Sequence, residues 1–243
     1  MREPAREHHA WDAGVRAFHW INLAALLWMT ATGLCILYEN ELGLPGPSRV
    51  AFKIVHKWGG YVFAINLALR LVWGFVSSGH GNWSRALPLR AGFLGELRAY
   101  LAGLRSGEAA AYVGHNPLGA LMVAALLLAL VVQAVTGMVL AGTDLYQGPF
   151  GSYFAEWVAA PGIDPASLVP GDRTKLNAAA YAEMRKFRAP IVRTHEYAFY
   201  VLMALSALHI AGVVRVEISE RVNVVSAMIS GRKRLRGEPV DGR

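Results

Sequence analysis

Four long apolar stretches constrain the fold of this 243-residue chain more than any other feature. They lie at about residues 17–38, 54–76, 117–141 and 191–215. As a helix, each stretch of about 20 residues or more is long enough to cross a hydrocarbon layer of about 30 Å. Charged residues make up only 17% of the chain, whereas roughly a quarter is typical of soluble domains. The sequence therefore predicts an all-α integral membrane four-helix bundle that forms one domain over residues 1–243.

The distribution of Lys and Arg predicts how these spans are oriented. The N-terminal lead, the second connection and the C-terminal tail hold 14 of the 24 basic residues, namely Arg2, Arg6, Arg16, Arg85, Arg90, Arg98, Arg105, Arg215, Arg221, Arg232, Lys233, Arg234, Arg236 and Arg243. Because short basic segments stay on the cytoplasmic side, we expect both termini there, in a multi-pass protein of the bacterial inner membrane. The net charge of +7 then reflects topology, and no nucleic-acid partner is expected.

The N-terminus and the cysteine count exclude several classes of protein. The first apolar stretch follows a charged lead and has full span length, so we interpret it as an uncleaved span. The chain contains one cysteine, Cys35. One cysteine excludes an intrachain disulfide, a CxxCH haem attachment and an iron–sulfur cluster held by this chain alone.

The segments between the spans also carry local structure signals. GFLGELRAYLAGL has helical periodicity typical of a helix on the membrane surface, and Asn116-Pro117 is typical of a helix start. The connection at about 142–190 should contain a capped soluble helix that begins at Asp172 and contacts a partner. The tail at about 216–243 should form an amphipathic helix on the membrane, with one face built from Ile218, Val222, Val225 and Ile229.

Four histidines lie within the spans, where ionisable residues are costly and usually functional. Counting from the span ends, His19 and His209 share a level near the cytoplasm, and His56 and His195 share a level near the outer face. The 14 residues between His195 and His209 correspond to about 21 Å along a helix. Two ligands in each of two layers fit two bis-histidine haems stacked in the bundle core, with the four rings as axial ligands of the iron.

Small and charged residues near the same levels agree with this interpretation. Gly33 lies 14 residues after His19 and leaves room for a macrocycle at the outer layer, and Gly119 and Gly137 make the third span small at both layers. Arg70 lies 14 residues after His56, at the inner layer, where it could pair with a haem propionate. Glycines in membrane helices also serve close packing, and an arginine can extend to the interface.

Other roles for the histidines stay open at this point. A histidine within a span is often a hydrogen-bond partner between helices. Structural zinc prefers four ligands in one place, and a proton pathway would usually recruit Asp or Glu inside the spans. The span cores contain neither Asp nor Glu. The nearest acidic residue, Glu196, lies at the outer edge of the fourth span. A haem-free transporter or membrane anchor remains the alternative from another class.

Four segments resemble a known family. WDAGVRAFHW, HKWGGYVFAINLALRLVWGF, YVGHNPLGALM and HIAGVVRVEISERVNVVSAMISGRK are similar to the membrane cytochrome b subunits of nickel–iron hydrogenases and their di-haem relatives. The resemblance covers nearly the whole chain. It implies two b-type haems, with His19, His56, His195 and His209 as ligands, in a subunit that exchanges electrons with membrane quinone.

A weaker likeness concerns the quinone. The 14-residue histidine spacing of the last span resembles that of the cytochrome b subunit of formate dehydrogenases. That resemblance implies a quinone near the inner haem, at positions that match His209 and Asn116, with Gly119 nearby.

The sequence thus predicts a respiratory di-haem cytochrome b that passes electrons between a periplasmic redox partner and the quinone pool. The partner could be the small subunit of a hydrogenase, another dehydrogenase or a cytochrome c, because the outer connection, with its WVAAPGIDP segment, is longer than the hydrogenase type leads us to expect. The chain would be the electron-transfer subunit of a quinone-linked oxidoreductase complex, with no catalytic residue of its own. A stand-alone di-haem quinone reductase is the alternative. Membrane lipid is an expected neighbour, and a homodimer is a further arrangement to consider.

Overall fold

The computed structural model describes residues 5–220 and 222–242. Arg2, Arg221 and Arg243, which entered the count of basic residues, lie outside the described residues. The chain is mostly helical, at 69%. Its described helices are α1 (Ala13–Leu37), α2 (Gly46–Val76), α3 (Trp83–Ala86), α4 (Phe93–Ser106), α5 (Pro117–Leu145), α6 (Gly151–Val158), α7 (Ala178–Ser219) and α8 (Val224–Ser230). A 3-10 turn covers Pro165–Ser167, and two short strands, β1 (Arg6–His9) and β2 (Arg232–Leu235), pair antiparallel.

Four of these helices, α1, α2, α5 and α7, are long and apolar enough to cross a membrane. Each of them exposes large apolar side chains, for example Leu27, Ile65, Leu128 and Leu208. Exposed apolar faces on long helices are what a lipid environment requires, because the backbone is satisfied within each helix and the side chains meet hydrocarbon. The prediction of a helical protein with four spans is confirmed.

The chain divides into two compact units, and each span contributes to both. The terminal unit contains Met1–Trp20, Leu67–Leu128 and Leu202–Arg243. The central unit contains Ile21–Asn66 and Ala129–Val201. His19 and His209 therefore belong to the terminal unit, and His56 and His195 to the central unit.

The terminal unit brings the two ends of the chain together. β1 pairs with β2 in a register that sets Arg6 opposite Leu235 and His9 opposite Arg232. Trp11, Val113, Val222 and Leu235 are among the buried residues of the apolar core beside this sheet. Burying these side chains stabilises this part of the unit and holds β1 and β2 together.

The same pairing corrects the predicted tail. The single amphipathic helix is wrong: α7 ends at Ser219, α8 begins at Val224, and the basic cluster forms β2. Val222 is 8% exposed, whereas Ile218, Val225 and Ile229 are 71%, 46% and 63% exposed, so the four residues do not share one face. The break is stabilised by Asn223, whose Oδ1 accepts from the backbone N–H of Arg234 at 2.6 Å.

The central unit packs the compact connection between α5 and α7 onto the first turns of α7. Phe154, Val158, Leu168 and Met184 form its core. Beside it, the carboxylate of Asp144 at the end of α5 accepts hydrogen bonds from Arg188, at 2.7 Å for Nη2, and from Nζ of Lys53 at 3.2 Å. A carboxylate between two cations ties α2, α5 and α7 together within this unit.

The helix expected from Asp172 begins later, and it is not separate from the fourth span. It continues into that span as α7. Asp172 forms a turn instead, with Oδ1 accepting from the N–H of Thr174 at 2.9 Å. The N-cap is Asn177, whose Oδ1 accepts from the N–H groups of Ala179 and Ala180 at 3.0 and 3.1 Å. From there α7 runs for 42 residues through Pro190. The missing N–H of Pro190 removes one backbone bond and does not end the helix.

Candidate functional site

The central unit brings the rings of two span histidines close together. His56 on α2 and His195 on α7 have ring centroids 6.5 Å apart, with ring planes at 79°. A metal bound by two imidazole nitrogens at about 2 Å each, with each ring centre roughly 1 Å further away, needs centroids about 6 Å apart. The observed separation therefore suits a single metal between the two rings.

A threonine on α1 fixes the orientation of His56. The hydroxyl of Thr32 lies 2.9 Å from Nδ1 of His56 and donates its hydrogen to the backbone oxygen of Trp28, also at 2.9 Å. When that hydrogen goes to Trp28, the oxygen of Thr32 accepts from an Nδ1–H group, because a hydroxyl has one hydrogen to donate. The lone pair of the ring then resides on Nε2, which is the state in which imidazole binds a metal.

The same arrangement recurs at His195. The hydroxyl of Thr136 on α5 lies 2.8 Å from Nδ1 of His195 and donates to the oxygen of Val132 at 2.6 Å. The side-chain amide of Gln133 also lies 2.8 Å from this Nδ1. An amide nitrogen there would need an unprotonated Nδ1, whereas Thr136 needs a protonated one. With its nitrogen at Nδ1, the Gln133 amide also has its oxygen accepting from the N–H of Phe199 at 2.9 Å. A metal bound at Nε2 would instead require the protonated Nδ1, with Thr136 and the oxygen of Gln133 as its acceptors.

Glycines give these rings their space. A Cβ atom on Gly33 would lie 3.3 Å from Cε1 of His56, and one on Gly137 would lie 3.3 Å from Cε1 of His195. The sequence predicted that Gly33 makes room for a macrocycle, and the structure places it against the imidazole. Gly33 follows Thr32, and Gly137 follows Thr136, so α1 and α5 each present a Thr-Gly pair to a histidine on another helix.

The terminal unit holds the second histidine pair. His19 on α1 and His209 on α7 lie close enough to interact electrostatically. Within the described residues, Nδ1 of His19 is buried and has no hydrogen-bond partner. A buried ring nitrogen without a protein partner is free to meet another group.

Arg70 on α2 has an unpartnered donor in the same unit. Its guanidinium lies 4.1 Å from the centre of the Trp83 ring, and Nη2 donates to the backbone oxygen of Gly81 at 3.2 Å. Its Nη1 is buried and has no partner in the described part of the chain. A buried N–H of a guanidinium is costly unless an acceptor meets it, and a carboxylate is the acceptor that an arginine binds most strongly.

Asn116 starts α5, as the sequence predicted, and also faces a tyrosine. Its Oδ1 accepts from the N–H of Gly119 at 2.7 Å, and its Nδ2 donates to the hydroxyl of Tyr100 at 2.7 Å. The hydroxyl of Tyr100 lies 3.5 Å from Oε1 of Glu220. Burial, together with the charge of Glu220, raises the pKa of Tyr100, so the phenol stays protonated.

His115 lies beside this start of α5 and packs against an aromatic ring. Its ring centre is 4.7 Å from that of Trp11. Burial lowers the pKa of His115 to about 3, and the charges of Lys233 and Arg70 lower it in the same direction. The ring is therefore neutral at physiological pH.

The chain matches a known protein family over most of its length. The family model for prokaryotic cytochrome b561 matches residues 10–231. The chain belongs to the prokaryotic cytochrome b561 family. As a cytochrome b561 protein it is a b-type cytochrome, a haem-binding electron-transfer protein with transmembrane helices.

Individual relatives of this cytochrome agree with the family. It is 27% identical over 241 residues to a probable Ni/Fe-hydrogenase B-type cytochrome subunit of Rhizobium leguminosarum bv. viciae, covering 93% of this chain and 88% of the relative. A protein of the same description from Bradyrhizobium diazoefficiens is 26% identical, over 94% of this chain and 86% of its own length. The hydrogenase 1 subunit of Escherichia coli K12 is 26% identical over 55% of this chain and 60% of its own length. The resemblance to hydrogenase cytochrome subunits is thus confirmed.

The residues of this cytochrome fit haem. In the central unit, the spacing of the His56 and His195 rings, each with its Nδ1 within hydrogen-bond distance of a threonine hydroxyl, suits an iron between them. In the terminal unit, Nη1 of Arg70 is buried without a partner among the described residues, which suits a haem propionate. When bound, haem supplies reversible one-electron chemistry, and the protein supplies axial ligands, hydrogen bonds and burial.

The two threonines that contact His56 and His195 were not predicted from the sequence. Thr32 and Thr136 each precede a glycine that was singled out for its small size. A Thr-Gly pair at the level of a span histidine on a neighbouring helix is the signal that would have found them.

Proposed function

We propose that this cytochrome b561 protein binds two b-type haems and passes electrons across the bacterial inner membrane between a periplasmic redox partner and the quinone pool. His56 and His195 would ligate the outer haem, and His19 and His209 the inner one. The observation that carries the proposal is the pair of facing rings, 6.5 Å apart, with both Nδ1 atoms bound by threonine hydroxyls.

The orientation follows from the basic residues and the chain ends. We place both termini in the cytoplasm, because the lead and the tail are rich in arginine. The pairing of β1 with β2 supports one side for both ends. The connection between α5 and α7 then faces the periplasm.

The partner that we propose is the electron-carrying subunit of a nickel–iron hydrogenase. The support is the description of the relatives as hydrogenase B-type cytochrome subunits. The connection between α5 and α7 offers a docking surface, since the aromatic side chains of Phe150, Tyr153 and Phe187 are exposed there. Another periplasmic dehydrogenase or a cytochrome c would use the same surface.

The residues have separate tasks in this proposal. Arg70 binds a propionate of the inner haem through Nη1, which has no other partner in the described residues. Asn116, Gly119 and His209 form the quinone site. The side-chain amide of Asn116 has two hydrogens, so it can bind a quinone oxygen while it also donates to Tyr100 at 2.7 Å.

The quinone site is tested by replacing Asn116 with serine, which keeps a helix-capping oxygen but removes the amide donor. We expect the reoxidation of chemically reduced protein by a soluble quinone analogue, followed by stopped-flow absorption, to slow about tenfold, since one hydrogen bond to the quinone is lost. Haem content should not change. The control is Asn82→Ser, because Asn82 caps α3 through Ser84 in the same manner, at 3.0 Å. Equal reoxidation rates in both variants and the unchanged protein would exclude Asn116 from the quinone site.

A further inference from the structure

The two histidines of the central unit have the same kind of contact: Nδ1 of each ring lies against the hydroxyl of a threonine on another helix. Thr32 on α1 binds Nδ1 of His56 on α2 at 2.9 Å, and Thr136 on α5 binds Nδ1 of His195 on α7 at 2.8 Å. In both cases the ligand and its threonine belong to different helices. The glycine that follows each threonine lets the ring approach closely. This repetition on two separate helix pairs indicates a shared task and goes beyond helix packing.

The direction of the two hydrogen bonds decides their chemical effect. Each threonine donates its hydrogen to a carbonyl of its own helix, Trp28 for Thr32 and Val132 for Thr136. With an iron bound at Nε2, Nδ1 carries the hydrogen, and the hydroxyl oxygens accept it. An acceptor at Nδ1 makes the opposite nitrogen of an imidazole more basic, and a more basic ligand favours the more positively charged, oxidised metal.

We propose that Thr32 and Thr136 are positioning residues that lower the reduction potential of the haem held by His56 and His195. The inference rests on the proposed function, because it needs a haem at that site. It concerns the reduction potential of that haem, and it assigns a role to two residues that contact the histidines and would not bind the iron.

The other histidine pair supplies an internal reference. Nδ1 of His19 is buried without a hydrogen-bond partner among the residues that the structure describes. The acceptor that raises ligand basicity at His56 and His195 is thus missing at His19. Removal of the threonine hydroxyls should change one haem potential and leave the other as it is.

The test is a redox titration of the purified, haem-loaded protein with Thr32→Val and Thr136→Val, singly and together. Valine keeps the branched shape and removes the hydroxyl. We expect one of the two titrating components to shift to a higher potential in Thr32→Val, by about tenfold in its equilibrium constant, which is about 59 mV for a one-electron couple. The shift in Thr136→Val should be smaller, because the amide of Gln133 also lies 2.8 Å from Nδ1 of His195. Thr32→Ser and Thr136→Ser should keep the original potential. In a His19→Ala background, the remaining component should be the one that shifts.

The control is Thr143→Val on the same α5. Thr143 is buried, and its hydroxyl donates to the oxygen of Leu140 at 3.3 Å. This variant should leave both potentials unchanged.

Each outcome separates the inference from the proposed function. Two bound haems with no shift in the double valine variant would overturn the role of the threonines and leave the electron-transfer proposal standing. An unchanged protein without haem would overturn the proposed function itself. If a valine variant loses its haem, cysteine at the same position decides, because a thiol is a weaker acceptor than a hydroxyl. A haem reduction potential that rises in the cysteine variant and is unchanged in the serine variant supports the proposed role of the threonine. Equal potentials in the cysteine and serine variants overturn it.

Discussion

Replacing His195 with alanine should remove one of two haems and leave the other bound. The haem-to-protein ratio, measured as the pyridine haemochrome of the purified variant, should fall from about two to about one, because an iron held by both rings loses one of its two axial ligands. His56→Ala should give the same ratio, since its ring faces that of His195 at 6.5 Å. The double variant should lose no more haem than either single one, because both residues serve one site.

The matched control is His80→Ala. His80 lies outside the spans and pairs with Asp241, with 3.6 Å between Nδ1 and the carboxylate. Its replacement should leave the ratio at about two. A ratio that stays at two in His195→Ala, in protein that remains folded and monodisperse, would contradict the assignment of the outer ligands.

Asp144→Asn should be the most destabilising single substitution among the ion pairs. Asp144 and Arg188 have side chains that are each 14% exposed, and Lys53 also binds the carboxylate. Removing one partner of a buried pair leaves uncompensated charge and costs about 3–5 kcal/mol. In a chain of this size that corresponds to a fall of about 6–20 °C in the unfolding midpoint. Thermal unfolding in detergent, followed by circular dichroism, measures it.

A more exposed ion pair provides the comparison for Asp144. Glu39 binds Arg49 at 3.3 Å, with side chains 24% and 35% exposed. Glu39→Gln should cost no more than about 1 kcal/mol, because partly solvated pairs contribute little. Equal midpoints for the two variants would show that the cluster around Asp144 does not hold α2, α5 and α7 together.

The spans and the candidate ligands could be predicted because they depend on local quantities. Apolar length locates a span, and the distance of a histidine from the span end gives its level to within about one turn. His56 and His195 were paired on this basis, and the structure brings their rings together. Asn116 could be recognised as a cap because capping uses neighbouring residues.

Other features depend on contacts that no local pattern shows. The strand at Arg232–Leu235 exists because it pairs with Arg6–His9, more than 220 residues away. Lys233, which was counted among the basic residues of the tail, is buried, and its Nζ donates to the backbone oxygen of Tyr112 at 2.7 Å. The predicted helix boundary near Pro190 is also wrong, because a helix can continue past a proline when its neighbours hold it, and α7 does so.

The threonines beside the histidines were missed for a different reason. A threonine inside a membrane helix usually bonds a carbonyl of its own helix, and Thr32 and Thr136 do so as well. Their second contact, to Nδ1 of a histidine on another helix, follows from the packing of two helices. The sequence pattern did single out the glycine beside each threonine, Gly33 as room for a macrocycle and Gly137 as a small residue of the third span.

The measurement that tests the central claim most directly is the haem stoichiometry of the unchanged protein. A reduced-minus-oxidised visible spectrum, quantified as the pyridine haemochrome, should show two low-spin b-type haems per chain. A stoichiometry of one would remove either the His19/His209 or the His56/His195 site from the account. A folded protein that binds no haem after reconstitution would contradict transmembrane electron transfer by this chain.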